Sequence, residues 1–177
     1  MTATRTRSAL FATRSPRCGG IWSRGTRKAA VRPAATRRKR AAERGMRLSR
    51  SQYDALIELS RAAYPREACG LLAGEDGAVR EVIALTNVEH NPTGCGWRAD
   101  SREQYRAFER IDDQGWRLLG IFHSHPSSRA YPSDRDVEHA LYPDARYVVV
   151  SLLDPDAPDV RAFRIAGGTV VDEPIES

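Results

Sequence analysis

Cysteine is scarce in this sequence: Cys18, Cys69 and Cys95 are the three among 177 residues. They are too few and too scattered for a disulfide scaffold, so the composition points to a reducing compartment and a cytoplasmic protein. No run approaches the ~20 consecutive apolar residues of a membrane-spanning helix, which excludes an integral helical membrane protein. Aromatic residues make up 7%, so no stacking platform for single-stranded nucleic acid is evident. Internal repeats are absent. Lysine occurs only at Lys28 and Lys39.

Those two lysines belong to an uneven distribution of charge. Residues 1–45 hold 13 basic residues and one acid, Glu43, a net of +12; residues 46–177 hold 15 basic and 22 acidic residues, a net of −7. The overall charge of +5 therefore describes neither part. The first segment is rich in Arg, Ala, Ser and Thr and lacks apolar periodicity, so it has little to bury against the entropy of ordering it. Four readings fit it: a disordered tail, an organellar transit peptide, a nucleic-acid-binding arm carried by Arg37, Arg38, Lys39 and Arg40, or an upstream extension of a true start at Met46. The compositional break at a methionine favours the last, or a dispensable tail. The working domain is then residues 46–177, long enough for one core, and its negative charge argues against a nucleic-acid substrate.

Within that domain the spacing predicts a helix over about 52–64, capped by Ser51 and ended by Pro65. Strands are expected at Ala68–Ala73 and Val79–Thr86, with a turn at Gly77. Residues 87–100 read as a loop. Ser101 to Gln104 resembles a capping box that opens a helix to about Asp113, closed by Gly115. Arg117–His123 reads as a buried strand and 124–132, with two prolines, as a loop. Ser133 to Asp136 then starts a helix running to about Leu141. Strands follow at Tyr147–Leu153 and Val160–Ile165, the latter paired with Thr169–Val171 through Gly167-Gly168. The element order is that of an α/β or α+β sandwich, a mixed sheet flanked by helices; α/β is the class expected.

The chemistry concentrates in Gly120-Ile-Phe-His-Ser-His-Pro126, followed after six residues by Ser133-Asp-Arg-Asp136. A strand puts residues i and i+2 on one face, so His123 and His125 project together. Two imidazoles at that spacing suit Zn²⁺, and the Pro-bounded loop can bring Asp136 beside them. Three protein ligands leave a fourth position for water, the mark of a catalytic rather than a structural zinc. Taken singly, each of these residues is more often structural: Asp136 is an acid favoured by the helix dipole, and Ser133 is an N-cap.

Together, His123-Ser-His-Pro126-x6-Ser133-x2-Asp136 resembles the signature of the JAMM-type (MPN-plus) metalloproteases. Tyr64-Pro-Arg-Glu-Ala-Cys-Gly-Leu-Leu-Ala-Gly74 is similar to their upstream motif. The resemblance runs from about Met46 to Pro174. It implies the JAMM/MPN fold, which is cytidine-deaminase-like, and one Zn²⁺ per chain held by His123, His125 and Asp136. It also implies that Glu67 is the general base and later proton donor to the leaving amine, and that Ser133 donates to the developing oxyanion. The short length, with Glu67-Ala-Cys-Gly70, Ala130-Tyr-Pro-Ser133 and Tyr142-Pro-Asp-Ala-Arg-Tyr147, is similar to compact bacterial members. Those members remove cysteine from the C-terminus of a small ubiquitin-like sulfur-carrier protein ending in Gly-Gly, a step of cysteine biosynthesis. The implied partner is such a carrier; no membrane or nucleic-acid partner is implied, and a homodimer is left open. A broader isopeptidase acting on ubiquitin-like conjugates is the alternative within enzymes. A binding module using the basic arm is the alternative outside them.

Other residues carry weaker signals. Cys69 reads as a small, inert, buried residue. Ser124, between the histidines, should face away from them and receives no catalytic role. His90 and His139 have no partner spacing. His139, three residues after Asp136, suits either a support for that ligand or, more often, a solvated helix position. Trp97 suits either the substrate channel or packing in the core or a lid.

Overall fold

Three runs of small and branched apolar residues form the middle of the sheet. In the computed structural model, which describes residues 45–90 and 96–176, they are β2 (Cys69–Glu75), β4 (Arg117–His125) and β5 (Arg146–Ser151). All six residues of β5 are buried, as expected for a strand covered on both faces. Around them lie β1 (Met46–Arg47), β3 (Ala78–Leu85), β6 (Asp159–Ala166), β7 (Thr169–Glu173) and β8 (Ile175–Glu176), with helices α1 (Arg50–Ala63), α2 (Ser101–Asp113) and α3 (Asp134–Glu138). The strand order is β7-β6-β5-β4-β2-β3-β1-β8. Pairing is parallel between β4 and β5 and at both sides of β1, and antiparallel elsewhere. The sheet is therefore mixed and flanked by helices, as expected. The readings made for residues 1–44 lie outside the described residues, as does the part of the expected 87–100 loop at residues 91–95.

Alternation along the central strands divides the core. Leu72, Phe122, Val148 and Val150 pack with Met46, Leu48 and Leu56 on the α1 side. Leu71, Ile121, Tyr147 and Val149 pack with Ala107 and Ile111 on the α2 side. The register Gly70↔Phe122 lays the Phe122 ring on Gly70, where a Cβ would stand 2.4 Å from Phe122 Cε1. Only glycine permits that approach.

Several boundaries differ from the sequence expectation. Ser49, not Ser51, caps α1, in a capping box with Gln52. Asp100, not Ser101, caps α2, its carboxylate accepting from the Arg102 and Glu103 amides. Glu103 instead reaches Thr86, accepting from its amide at 2.6 Å and its hydroxyl at 2.9 Å, which ties α2 to the end of β3. Strand β4 continues through His125 rather than ending at His123, because β5 remains beside it to Ser151. Helix α3 ends at Glu138, capped at His139, ahead of Pro143. The two-residue strands β1 and β8 were not expected; they pair with each other, Met46 with Ile175.

Candidate metal and catalytic centre

The end of β4 and the start of α3 meet at one point. His123 and His125 follow Ile121 in the alternation, so they share the α2-side face. His123 is fully buried and its ring stacks on Trp97, 5.5 Å between centroids. The His123 and His125 Nε2 atoms lie 3.1 Å apart. Asp136 brings Oδ1 to 3.3 Å from His123 Nε2 and Oδ2 to 3.5 Å from His125 Nε2. Bonds of about 2.0–2.1 Å to a tetrahedral ion would set ligand atoms about 3.3–3.4 Å apart, so the three side chains match that spacing. His125 Nδ1 lies 3.0 Å from the Arg129 carbonyl oxygen. Donation there holds the proton on Nδ1 and leaves the Nε2 lone pair facing its neighbours. The donor set, two imidazoles and a carboxylate, fits Zn²⁺.

Asp136 is held by the same residue that caps its helix. The Ser133 amide and hydroxyl donate to Asp136 Oδ2 at 2.7 and 2.6 Å, and the Asp136 amide donates back to Ser133 Oγ at 3.3 Å. Burial works to raise the Asp136 pKa, but its bonds to His123, His125 and Ser133 hold it far below the usual carboxylate range. For His125, burial favours the neutral ring. The bonds to Asp136 and the Arg129 carbonyl, with the charges of Asp136 and Glu67, outweigh that and raise its pKa.

Glu67 comes from the turn before β2 and is buried. Its Oε1 accepts from the Gly96 amide at 2.8 Å. Burial raises its pKa; the Gly96 bond and then the two imidazoles pull the other way, Asp136 adds to the rise, and the net shift is upward. A carboxyl above its ordinary range is suited to taking and returning a proton near neutral pH. Ser124, on the opposite face from the histidines, accepts from the Ala68 amide at 2.8 Å through Oγ and donates its own amide to the Ala68 carbonyl at 3.0 Å. It faces away, as expected, and fixes the residue next to Glu67.

One participant was missed in the sequence. Asn87 Nδ2 donates to the Glu67 carbonyl at 2.9 Å and the Gly96 carbonyl at 3.2 Å. Its Oδ1 accepts from the Glu89 amide at 2.9 Å and the Arg98 amide at 3.1 Å. It thus fastens the residues around Gly96 to the turn carrying Glu67. Gly96 has φ +95°, a backbone region that favours glycine. All of these side chains except Ser124 and Asn87 border a cavity of about 640 Å³, shared with Arg98, Gln104, Arg135 and Tyr147. Trp97 lines that cavity. His139 also borders it but is exposed, with Nδ1 2.8 Å from the Arg135 carbonyl oxygen.

Comparison with known proteins places these features in context. A family model described as prokaryotic homologs of the JAB domain matches residues 49–166. The chain is 41% identical over 124 residues to the CysO-cysteine peptidase of Mycobacterium tuberculosis, covering 69% of this chain and 84% of that one. It is 36% identical over 120 residues to a probable TtuB-protein conjugate cleaving protease of Thermus thermophilus, covering 66% and 76%. A solution structure of a protein from Desulfitobacterium hafniense superposes with a TM-score of 0.66 at 35% identity, covering 73% of this chain and 90% of that one.

Proposed function

The chain belongs to the family of prokaryotic homologs of the JAB domain, and on that premise we propose that it is a zinc-dependent hydrolase of sulfur-carrier protein conjugates. Its substrate is the amide bond after the C-terminal Gly-Gly of a small ubiquitin-like carrier, and its products are free cysteine and the carrier. The relative named for CysO-cysteine hydrolysis supports this substrate. The observation that carries the reading is the meeting of His123, His125 and Asp136 at 3.1–3.5 Å, with the Glu67 carboxyl on the wall of the same cavity.

His123, His125 and Asp136 are the proposed zinc ligands. When bound, the ion supplies Lewis acidity toward water and the scissile carbonyl near neutral pH. Glu67, held at Oε1 by Gly96, takes a proton from the attacking water on Oε2 and hands it to the leaving amine nitrogen. Ser133 turns its hydroxyl proton from Asp136 Oδ2 to the carbonyl oxygen as charge develops there; the Ser133 amide still holds Asp136. A Gly-Gly tail suits the site because glycine alone lets backbone approach this closely. The cytoplasm is the proposed setting, on the scarcity of cysteine.

The test is zinc content and hydrolysis of a carrier–cysteine adduct, with and without chelator. Glu67→Gln should bind zinc normally and lose about 10²–10⁴ in kcat, the range for a positioned acid–base group; cleavage at the wild-type rate would remove the mechanism. Chelation should abolish turnover and zinc should restore it. The likeness to the Thermus protease supports a second reading, cleavage of carrier–protein conjugates, and a protein-linked adduct in the same assay separates the two.

A further inference from the structure

The cavity over the metal centre carries a second set of charges that the hydrolytic mechanism does not use. Arg98 and Arg135 both line it. Arg135 rises from α3 beside Asp136 and crosses to the opposite wall. There its Nη1 fills the space a side chain at residue 96 would need, 2.6 Å from the Cβ position, while Nη2 donates to Glu89 Oε2 at 2.7 Å. Because the Gly96 amide holds Glu67, this guanidinium stands one residue from the proton-transferring carboxyl.

Arg98 follows Trp97 on the same wall and is exposed. Among the described residues it forms no ion pair, and its guanidinium makes one long hydrogen bond, 3.4 Å to the Val88 carbonyl. Both arginines act on Glu89: the Arg135 hydrogen bond and then the His90 amide lower its pKa against the opposing effect of burial, and the charges of Arg135 and Arg98 add to the fall. Glu89 is thus paired with Arg135 and feels Arg98 only through its charge. The two acids on the cavity wall itself are engaged elsewhere, Glu67 with Gly96 and Asp136 with the histidines and Ser133. Among the described residues, the Arg98 guanidinium on this wall therefore has no ion-pair partner.

We infer that Arg98 and Arg135 form a subsite for a free α-carboxylate on the leaving amine. The preferred substrates are then carrier amides of single amino acids rather than isopeptides of protein lysines. In an amino-acid amide the carboxylate carbon is two bonds from the scissile nitrogen; an isopeptide has only a methylene chain at that place. Guanidinium is the cation suited to it, since its planar fork pairs with a carboxylate through two parallel hydrogen bonds. This inference rests on the hydrolase reading above and names what that site selects.

Two adducts of one carrier test it, one with cysteine and one with cysteamine, which has the same thiol and amide but no carboxylate. The zinc-loaded enzyme should favour the cysteine adduct by about tenfold or more in kcat/KM, the scale of one charge-assisted hydrogen bond. The zinc-loaded Glu67→Gln variant should show the same preference in equilibrium binding. Arg98→Ala or Arg135→Ala should bring the ratio toward one, mainly through KM for the cysteine adduct. Each ratio compares two substrates on one enzyme, so a general loosening of the loop cancels. Equal handling of both adducts by wild type, or an unchanged ratio in both arginine variants, overturns the inference and leaves the hydrolase reading intact. Failure to cleave or bind either adduct removes both.

Discussion

Burial raises the pKa of both Glu67 and Cys69, which stand two residues apart, with different consequences. For Glu67 the rise is opposed by the Gly96 amide and the imidazoles, so the group can still exchange a proton. For Cys69, burial and then the charges of Glu103 and Glu67 push the thiol up to about 12, against a small pull from Arg66. A thiol is nucleophilic only as thiolate. Maleimide labelling of the native protein at pH 8 should therefore leave Cys69 unmodified, and labelling after denaturation should modify it; native labelling there would refute the assignment. The same shift has a stability consequence. The folded protein holds this proton more tightly than the unfolded chain, whose thiol titrates near 9.0. The stabilisation is complete below pH 9 and is lost as pH rises toward 12. Denaturant midpoints should fall across that window, and Cys69→Ala should flatten the fall.

Two short stretches govern the site, residues 87–90 and 96–99, joined by the bridge Asn87↔Ala99 and together called the Asn87 segment. Asn87 uses two amide donations and two acceptances to join this segment to Glu67. Asn87→Ala should lower kcat by about tenfold or more, as expected when a catalytic group loses its positioning, while zinc content stays unchanged because none of these bonds reaches His123, His125 or Asp136. Full activity in Asn87→Ala would show that Gly96 alone holds Glu67. This segment is also the part of the site least legible in the sequence. His123, His125 and Asp136 announce themselves, because strand alternation and a helix start fix their directions in advance. The contacts of Asn87 and Gly96 depend on a loop path that no periodicity encodes. The same contrast runs through the fold. Strands β2 to β6 read from apolar runs and alternation, whereas the caps of α1 and α2 did not, since Ser49 and Ser51, or Asp100 and Ser101, are neighbours of nearly equal capping strength. Strands β1 and β8 are too short to leave a pattern, and each depends on a partner at the other end of the domain.

At the scale of the whole chain, the division of charge at Met46 and the packing of Met46 make a joint prediction about the domain boundary. Residues 1–45 hold the net +12 and the remainder a net −7. Met46 is 2% exposed and Leu48 3%, and both pack with Leu72, Phe122 and Val148. Strand β1 also lies between β3 and β8, and the Leu48 amide donates to the Glu176 carbonyl at 2.9 Å. We propose that the folding unit starts at Met46. A chain lacking residues 1–45 should keep its unfolding midpoint and its hydrolysis of the carrier adduct while turning acidic, which cation-exchange retention would register. A chain lacking residues 1–48 should behave otherwise. It loses two buried side chains, each worth about 2–5 kcal/mol when truncated from a core, and it strips β8 of its pairing. That sum rivals the ~5–15 kcal/mol stability of an ordinary domain, so the shorter chain should unfold at much lower denaturant or fail to fold. Equal stability of the two truncations would show that the strand at Met46 is dispensable, and the boundary would then lie beyond it.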